Sequence, residues 1–154
     1  MVIEAGQPVP EFSLARFDGK PFTRDDLRGK RTVLVFYPFA FSPVCTDQLS
    51  VYHEVLDELE AKGATLYGVS CDATWSQEAF RKELGIAIPQ LSDFEPKGRT
   101  CEAFGVLHPG GFPQRALVLV GPDGVVEWSY EAPSPGELPG ANLIFDALDA
   151  TRPD

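Results

Sequence analysis

The sequence predicts an α/β fold in which helices flank a central mixed β-sheet and a β-hairpin lies near the amino-terminal end. Two apolar runs, 32–37 and 65–70, have the composition of strands that are covered on both faces, and a helical segment follows each of them. This strand–helix–strand–helix order favours right-handed crossovers and parallel pairing. Two short apolar segments that flank Asp18 and Gly19 predict the hairpin.

The first third of the chain leads into a buried strand. Residues 12–14 and 20–23 are the predicted hairpin strands, and residues 25–30 are predicted to form a short helical turn or loop whose charges face water. The strand from Thr32 to Tyr37 is expected to stop at Pro38, because proline cannot continue the hydrogen-bonded ladder.

A helix that carries a cysteine is predicted to follow this strand. Ser42 and Pro43 mark its start, with the serine at the N-cap and the proline at position N1. Cys45 then falls at position N3, where unpaired backbone N–H groups and the positive end of the helix dipole favour a thiolate. Apolar residues recur at helical spacing as far as Gly63, at Leu49, Tyr52, Val55, Leu56 and Leu59. The sequence therefore predicts an activated cysteine at a helix start.

The second half of the chain contains the remaining elements. Cys71 lies at the carboxyl end of the second buried strand, at the same edge of the sheet as Cys45. The predicted segments after it are a helix from about 75 to 84 closed by Gly85, an irregular stretch over 86–114 with one helical turn at 99–104, a hairpin of 115–120 and 125–130, a proline-rich loop over 131–140, and an amphipathic helix over 142–150.

Length and charge limit the classes of protein. The chain has 154 residues, which predicts a single domain over 1–154. Its 13 basic and 23 acidic residues give a net charge of −10, which argues against a nucleic acid or an anionic membrane as a partner. No apolar run approaches the ~18 residues of a membrane span, and the amino-terminal segment lacks the features of a signal peptide. We therefore expect a cytoplasmic protein.

The cysteines predict free thiols. Their number is odd, and their spacing is not that of a secreted disulfide framework. With only two histidines, the chain has no C-x-x-C or H-x-x-H zinc pattern, so no metal site is expected. Free thiols suit a reducing compartment.

The residues around Cys45 also carry a resemblance to a known family. Pro38-x-x-x-Ser42-x-x-Cys45 resembles the Pro-x-x-x-Thr/Ser-x-x-Cys signature of the peroxiredoxins, the thiol peroxidases of the AhpC/TSA superfamily. Among the branches, the short chain and the setting of Cys45 are most similar to the alkyl hydroperoxide reductase E (AhpE) type. Further matching segments lie along the chain, at Pro10-x-Phe12-x-Leu14, Pro89-x-Leu91-Ser92-Asp93, Phe104-Gly105-Val106, Arg115 and Pro122-Asp123-Gly124.

This resemblance implies a thioredoxin-like fold and a peroxidase reaction in which the Cys45 thiolate attacks a peroxide and becomes a sulfenic acid. Ser42 and the backbone N–H of Cys45 would donate to the peroxide, and Arg115 would hold the thiolate and the developing charge. Pro38 would pack over the sulfur. Gln48 occupies the position where many relatives have glutamate, and it would orient Arg115.

The resemblance also implies the partners of the reaction. The substrate would be hydrogen peroxide or an organic hydroperoxide. The reductant would be thioredoxin, a glutaredoxin-like or mycoredoxin-like protein, or a low-molecular-weight thiol. No cofactor is required, because the sulfur performs the redox chemistry, and a homodimer formed through loops near the active site is expected.

Several alternatives remain open from the sequence. Ser50 occupies the position of the resolving cysteine in one branch of the family, so a one-cysteine enzyme with an external reductant leads. The alternative within this class is a two-cysteine enzyme in which Cys71 or Cys101 resolves the sulfenic acid. Thiol–disulfide exchange at Cys45 would need a C-x-x-C motif, and Gln48 stands at its second cysteine position. The alternative of another class is a non-enzymatic redox sensor or binding module.

Overall fold

The computed structural model of the protein describes residues 1–151 as a seven-stranded mixed sheet with helices on both faces. The strands are β1 Ser13–Ala15, β2 Pro21–Thr23, β3 Arg31–Phe36, β4 Ala64–Ser70, β5 Gln90–Ser92, β6 Ala116–Val120 and β7 Val126–Glu131. The helices are α1 Pro43–Glu54, α2 Leu56–Ala61, α3 Thr74–Leu84, α4 Arg99–Ala103 and α5 Ala141–Ala150, and a 3-10 turn spans Arg24–Leu27. Within these described residues, no helix is both long and apolar enough to cross a membrane.

The sheet has the order β2-β1-β5-β4-β3-β6-β7. Strands β3, β4 and β5 pair in parallel, and the remaining neighbours pair antiparallel. The predicted mixed sheet, its parallel centre and the amino-terminal hairpin are thus confirmed. Strand β5 lies inside the stretch over 86–114 that the sequence predicts as irregular, and that prediction is wrong there. Three residues after Pro89 carry too little periodicity to mark a strand, and pairing with β4 and β1 is what defines it.

Alternation along the strands divides the core into two layers. Val33 and Val35 of β3 face the first layer, which also contains Cys45 and apolar residues of α1, α2, α3 and α5. Leu34 and Phe36 face the second layer, on the other side of the sheet, together with α4 and segments from the first 27 residues. The Cys45 helix therefore packs on one face of the sheet only.

The predicted long helix after Ser42 is two helices in the structure. Helix α1 ends at Glu54, and Val55 has φ −112° and ψ 15°, outside the helical region, before α2 begins. The apolar stripe is continuous across the interruption, since Tyr52, Leu56 and Leu59 all enter the first core layer. Neither glycine nor proline stands at the break. The apolar spacing also continues across it, so the sequence pattern does not predict the interruption.

Candidate active site

The site begins where β3 ends and α1 starts. The Tyr37 N–H still donates to Val69 O at 3.0 Å, and the chain then leaves the sheet at the buried Pro38. Ser42 has extended backbone angles at the N-cap, and Pro43 is the first helical residue, as predicted. Cys45 consequently occupies position N3, with its backbone N–H in the first turn, where no carbonyl of the helix is available.

The loop over residues 38–42 is held by specific hydrogen bonds. The Asp72 carboxylate accepts the Ala40 N–H at 2.8 Å, and the Ser42 hydroxyl donates to Phe39 O at 3.0 Å. The Ser42 side chain therefore does not cap α1, although its backbone has the N-cap geometry. Phe41 has φ +70°, a left-handed conformation that a non-glycine residue adopts at a cost of roughly 1–3 kcal/mol. The loop stores this strain directly before the cysteine helix.

Arg115 reaches the cysteine from the start of the neighbouring strand. It directly precedes β6, the antiparallel neighbour of β3, and its Nη2 lies 3.3 Å from Cys45 Sγ. Its Nη1 donates to Gln48 Oε1 at 2.6 Å, and its Nε donates to Pro135 O at 2.9 Å. The guanidinium is thus fixed by two neutral acceptors while one of its N–H groups points at the sulfur.

The burial of this arginine has an electrostatic consequence. Arg115 is only 2% exposed and Cys45 is 0% exposed. Among residues 1–151, no carboxylate forms a salt bridge with Arg115. A buried charge is costly unless an opposite charge or several hydrogen bonds compensate it. A thiolate at Cys45 would supply the opposite charge at hydrogen-bonding distance.

The residues behind Arg115 form a hydrogen-bond chain. Gln48 Nε2 donates to Tyr52 Oη at 3.0 Å, and the Tyr52 hydroxyl donates to Pro139 O at 2.6 Å. Burial raises the pKa of Tyr52 to about 12, so the phenol stays protonated near neutral pH and keeps this donor. The contact between Gln48 and Arg115 agrees with the sequence prediction. The sequence predicts Tyr52 only as part of the apolar stripe, although its position four residues after Gln48 is a usable signal.

Tyr52→Phe tests this chain. The substitution leaves Pro139 O without its donor and frees the Gln48 amide, so we expect the free energy of unfolding to fall by about 1–3 kcal/mol. The reactivity of the Cys45 thiol should fall less than for a change at Arg115, because the guanidinium keeps its bonds to Gln48 Oε1 and Pro135 O. Denaturant unfolding of the variant and the parent measures the first effect. An unchanged unfolding midpoint and slope would contradict the assigned role of the hydroxyl.

The other two cysteines lie away from this site. Cys101 is buried in the second core layer, and Cys71 packs against the same layer. The sheet therefore separates both residues from the layer that contains Cys45. The predicted position of Cys71 at the carboxyl end of its strand is confirmed, but it belongs to the opposite face. All three thiols are free.

Comparison with known proteins identifies the class. The profile of the AhpC/TSA family matches residues 5–129, which is most of the chain. The fold agrees, since the crystal structure of Enterococcus faecalis AhpC superposes with a TM-score of 0.86 at 26% identity, over 99% of this chain and 93% of that one. The chain belongs to the AhpC/TSA family of peroxiredoxins, which are thiol-dependent peroxidases.

Individual relatives place the chain within this family. Alkyl hydroperoxide reductase E of Mycobacterium tuberculosis is 29% identical over 151 residues, covering 97% of this chain and 98% of the relative. The protein named putative peroxiredoxin bcp of Coxiella burnetii is 33% identical over 107 residues, 70% of each chain. The structure of peroxidoxin BcpB from M. tuberculosis aligns with a TM-score of 0.81 at 26% identity, over 97% of both chains. The chain is thus similar to both the AhpE and the Bcp types.

Proposed function

We propose that this peroxiredoxin reduces hydrogen peroxide or organic hydroperoxides at Cys45, with Arg115 as the main electrostatic group, and that an external thiol restores the cysteine. The observation that carries the proposal is the buried contact of 3.3 Å between Arg115 Nη2 and Cys45 Sγ. Within residues 1–151 this guanidinium has no carboxylate partner, and such a charge favours the thiolate, which is the nucleophilic form of cysteine. The position of Cys45 at the start of α1 acts in the same direction.

The proposed reaction has two stages. The Cys45 thiolate attacks the nearer peroxide oxygen, the O–O bond breaks, and the sulfur becomes a sulfenic acid. The farther oxygen leaves as an alkoxide or hydroxide and takes up a proton, giving alcohol or water. One reductant thiol then forms a mixed disulfide with Cys45 and releases water, and a second thiol displaces the cysteine.

Two groups would stabilise the negative charge that develops on the peroxide, and a third would orient the bound peroxide. Arg115 has an N–H at the sulfur already, and the backbone N–H of Cys45 lies in the unpaired first turn of α1. The hydroxyl of Ser42 donates to Phe39 O, so its lone pairs can accept the O–H of the bound peroxide and orient it. Gln48 would position Arg115. Pro38, the buried first residue of the loop over 38–42, would restrict water at the sulfur.

The cysteine arrangement favours the one-cysteine cycle. A resolving thiol must reach the Cys45 sulfur, but Cys71 and Cys101 contact the core layer on the opposite face of the sheet. Resolution by either residue would require that part of the sheet or its edge loops unfold. We therefore propose an external reductant: thioredoxin, a glutaredoxin-like or mycoredoxin-like protein, or a low-molecular-weight thiol.

A double variant, Cys71→Ser with Cys101→Ala, tests the one-cysteine cycle. We expect it to keep the parent rate of peroxide turnover with a small monothiol, because neither residue takes part. Peroxide consumption, followed with the same thiol for both proteins, is the measurement. A folded double variant that loses turnover, together with a parent protein that shows a Cys45–Cys71 or Cys45–Cys101 disulfide in its peptide map, would establish the two-cysteine alternative instead.

The proposal also covers the cellular compartment and the domain organisation. The three free thiols suit a reducing compartment, so we place the protein in the cytoplasm. A single connected sheet supports one domain over the chain.

Phe39 and Phe41, in the loop before Cys45, are 48% and 54% exposed and give this edge an apolar surface that supports a homodimer. Sedimentation equilibrium of the parent and of Phe41→Asp tests the dimer, and a parent that remains monomeric would refute it.

A further inference from the structure

A pair of thiols lies on the face of the sheet opposite Cys45. Cys71 follows β4 and is half-buried, whereas Cys101 lies in α4 and is fully buried. The two sulfur atoms and one carboxylate oxygen of Asp93 all lie within 4.8 Å of one another. The peroxidase reaction proposed at Cys45 uses none of these three groups, so the cluster needs a separate explanation.

The backbone holds this cluster in place. The parallel pairing of β4 with β5 sets Ser70 opposite Ser92, so Cys71 and Asp93 emerge side by side at the carboxyl edge of the sheet. The Asp93 carboxylate accepts the backbone N–H groups of Thr100 and Cys101 at 3.1 and 2.8 Å, which fixes α4 against this edge. The proximity of the two sulfurs therefore follows from sheet register and from buried hydrogen bonds.

The two thiols differ in acidity and in burial. A hydrogen bond from the Cys101 thiol to the Cys71 sulfur lowers the pKa of Cys71, and the nearby Lys97 ammonium adds to this effect. The same hydrogen bond, burial and the Asp93 charge raise the pKa of Cys101. Cys71 is thus the more acidic thiol and also the more accessible one. Such an asymmetric pair has one attacking thiol and one resolving thiol.

We propose that Cys71 and Cys101 form a dithiol–disulfide redox site that exchanges electrons with small disulfides and works independently of Cys45. The Cys71 thiolate attacks one sulfur of the small disulfide, whose S–S bond breaks and releases one thiolate. Cys101 then loses its proton through the adjacent Asp93 carboxylate and attacks the Cys71 sulfur. The second small thiolate leaves and takes up that proton. Overall, two protein thiols are oxidised to one disulfide, and one small disulfide is reduced to two thiols.

The two sulfurs begin close together. They lie no more than 4.8 Å apart, and a disulfide requires about 2.05 Å, so closure needs an approach of at most about 2.8 Å. Formation of the mixed disulfide also removes the negative charge of Cys71 that opposed deprotonation of Cys101. The second step is therefore easier than the pKa of Cys101 in the reduced pair would indicate.

The test uses Cys45→Ser, so its outcome does not depend on the peroxidase proposal. The reduced variant is incubated with hydroxyethyl disulfide, its remaining thiols are blocked with N-ethylmaleimide, and its intact mass and peptide map are recorded. We expect a protein that has lost two hydrogens, takes up no maleimide and yields a cross-linked peptide containing Cys71 and Cys101. With hydroxyethyl disulfide in fixed excess, the observed first-order rate constant should not depend on protein concentration, because the disulfide forms within one chain.

Two matched variants in the same background assign the roles. With Cys101→Ala, the reaction should stop at a mixed disulfide on Cys71, and alkylation of Cys71 at neutral pH should slow because its hydrogen-bond donor is lost. With Cys71→Ser, Cys101 should remain a free thiol. A Cys45→Ser protein that keeps both thiols, or that stops at the mixed disulfide with Cys101 still free, would overturn the proposal. A stoichiometric zinc ion that is held by the pair and blocks its oxidation would also overturn it.

Discussion

Cys45→Ser is expected to abolish peroxide turnover. A serine hydroxyl is not ionised near neutral pH and cannot form the sulfenic acid on which the catalytic cycle depends. The substitution is nearly isosteric, and Cys45 is buried at the start of α1 with Arg115 beside it, so the hydroxyl can accept the same N–H. We expect the fold to survive while the rate falls to that of peroxide with the reductant alone. Stopped-flow competition against a reference peroxidase, with peroxide below one equivalent, measures the parent and the variant.

The matched control for this variant is Cys71→Ser. It removes a thiol of the same kind and keeps Cys45, so its peroxide rate should equal that of the parent. Dimedone labelling of the parent after one equivalent of hydrogen peroxide should mark the sulfenic acid on Cys45. If Cys45→Ser retained the parent rate while Cys71→Ser lost it, the peroxidatic assignment would be wrong. If the parent reacted no faster than a free thiol, the redox-sensor alternative would be favoured.

Arg115→Ala is expected to lower the second-order rate constant for peroxide by about 10²–10³-fold, the loss that follows removal of one preorganised transition-state donor. The arginine contacts the sulfur at 3.3 Å in a site that excludes water. Its charge therefore acts on the thiolate and on the departing oxygen with little screening. The substitution also leaves Gln48 Oε1 and Pro135 O without a donor, which should cost roughly 1–3 kcal/mol of stability for each group.

Arg115→Lys separates charge from geometry. Lysine keeps the positive charge, but its single ammonium cannot replace three N–H groups aimed in a fixed fork at Cys45, Gln48 and Pro135 O. We expect a peroxide rate between those of the parent and the alanine variant. Alkylation by iodoacetamide, which needs the thiolate but no donor to a peroxide, should fall less than the peroxide rate in both variants. A folded Arg115→Ala protein with the parent peroxide rate would refute the role of the arginine.

Local sequence patterns were sufficient where one segment determines its own structure. The apolar run of β3, the stop at Pro38 and the serine–proline start of α1 placed Cys45 at position N3, as the structure has it. Strand β5 was not predicted, because a three-residue strand is defined by its pairing with β1 and β4 and not by its own sequence. The use of the Ser42 hydroxyl was also unpredictable, because capping α1 and donating to Phe39 O are both available to a serine at this position.

The sequence by itself determined the class of fold and the position of Cys45 at a helix start, since strand composition, helix-start signals and the spacing of Pro38, Ser42 and Cys45 are local properties. The family resemblance implies Arg115 beside Cys45, whereas only the tertiary structure decided how Arg115 reaches it and which groups surround the other two thiols. Arg115 reaches the sulfur across 70 residues because β6 pairs with β3. Cys71 meets Cys101 because β5 pairs with β4 and brings Asp93 and α4 to the opposite face. Sheet order and register fix such contacts, and neither is encoded in any single segment.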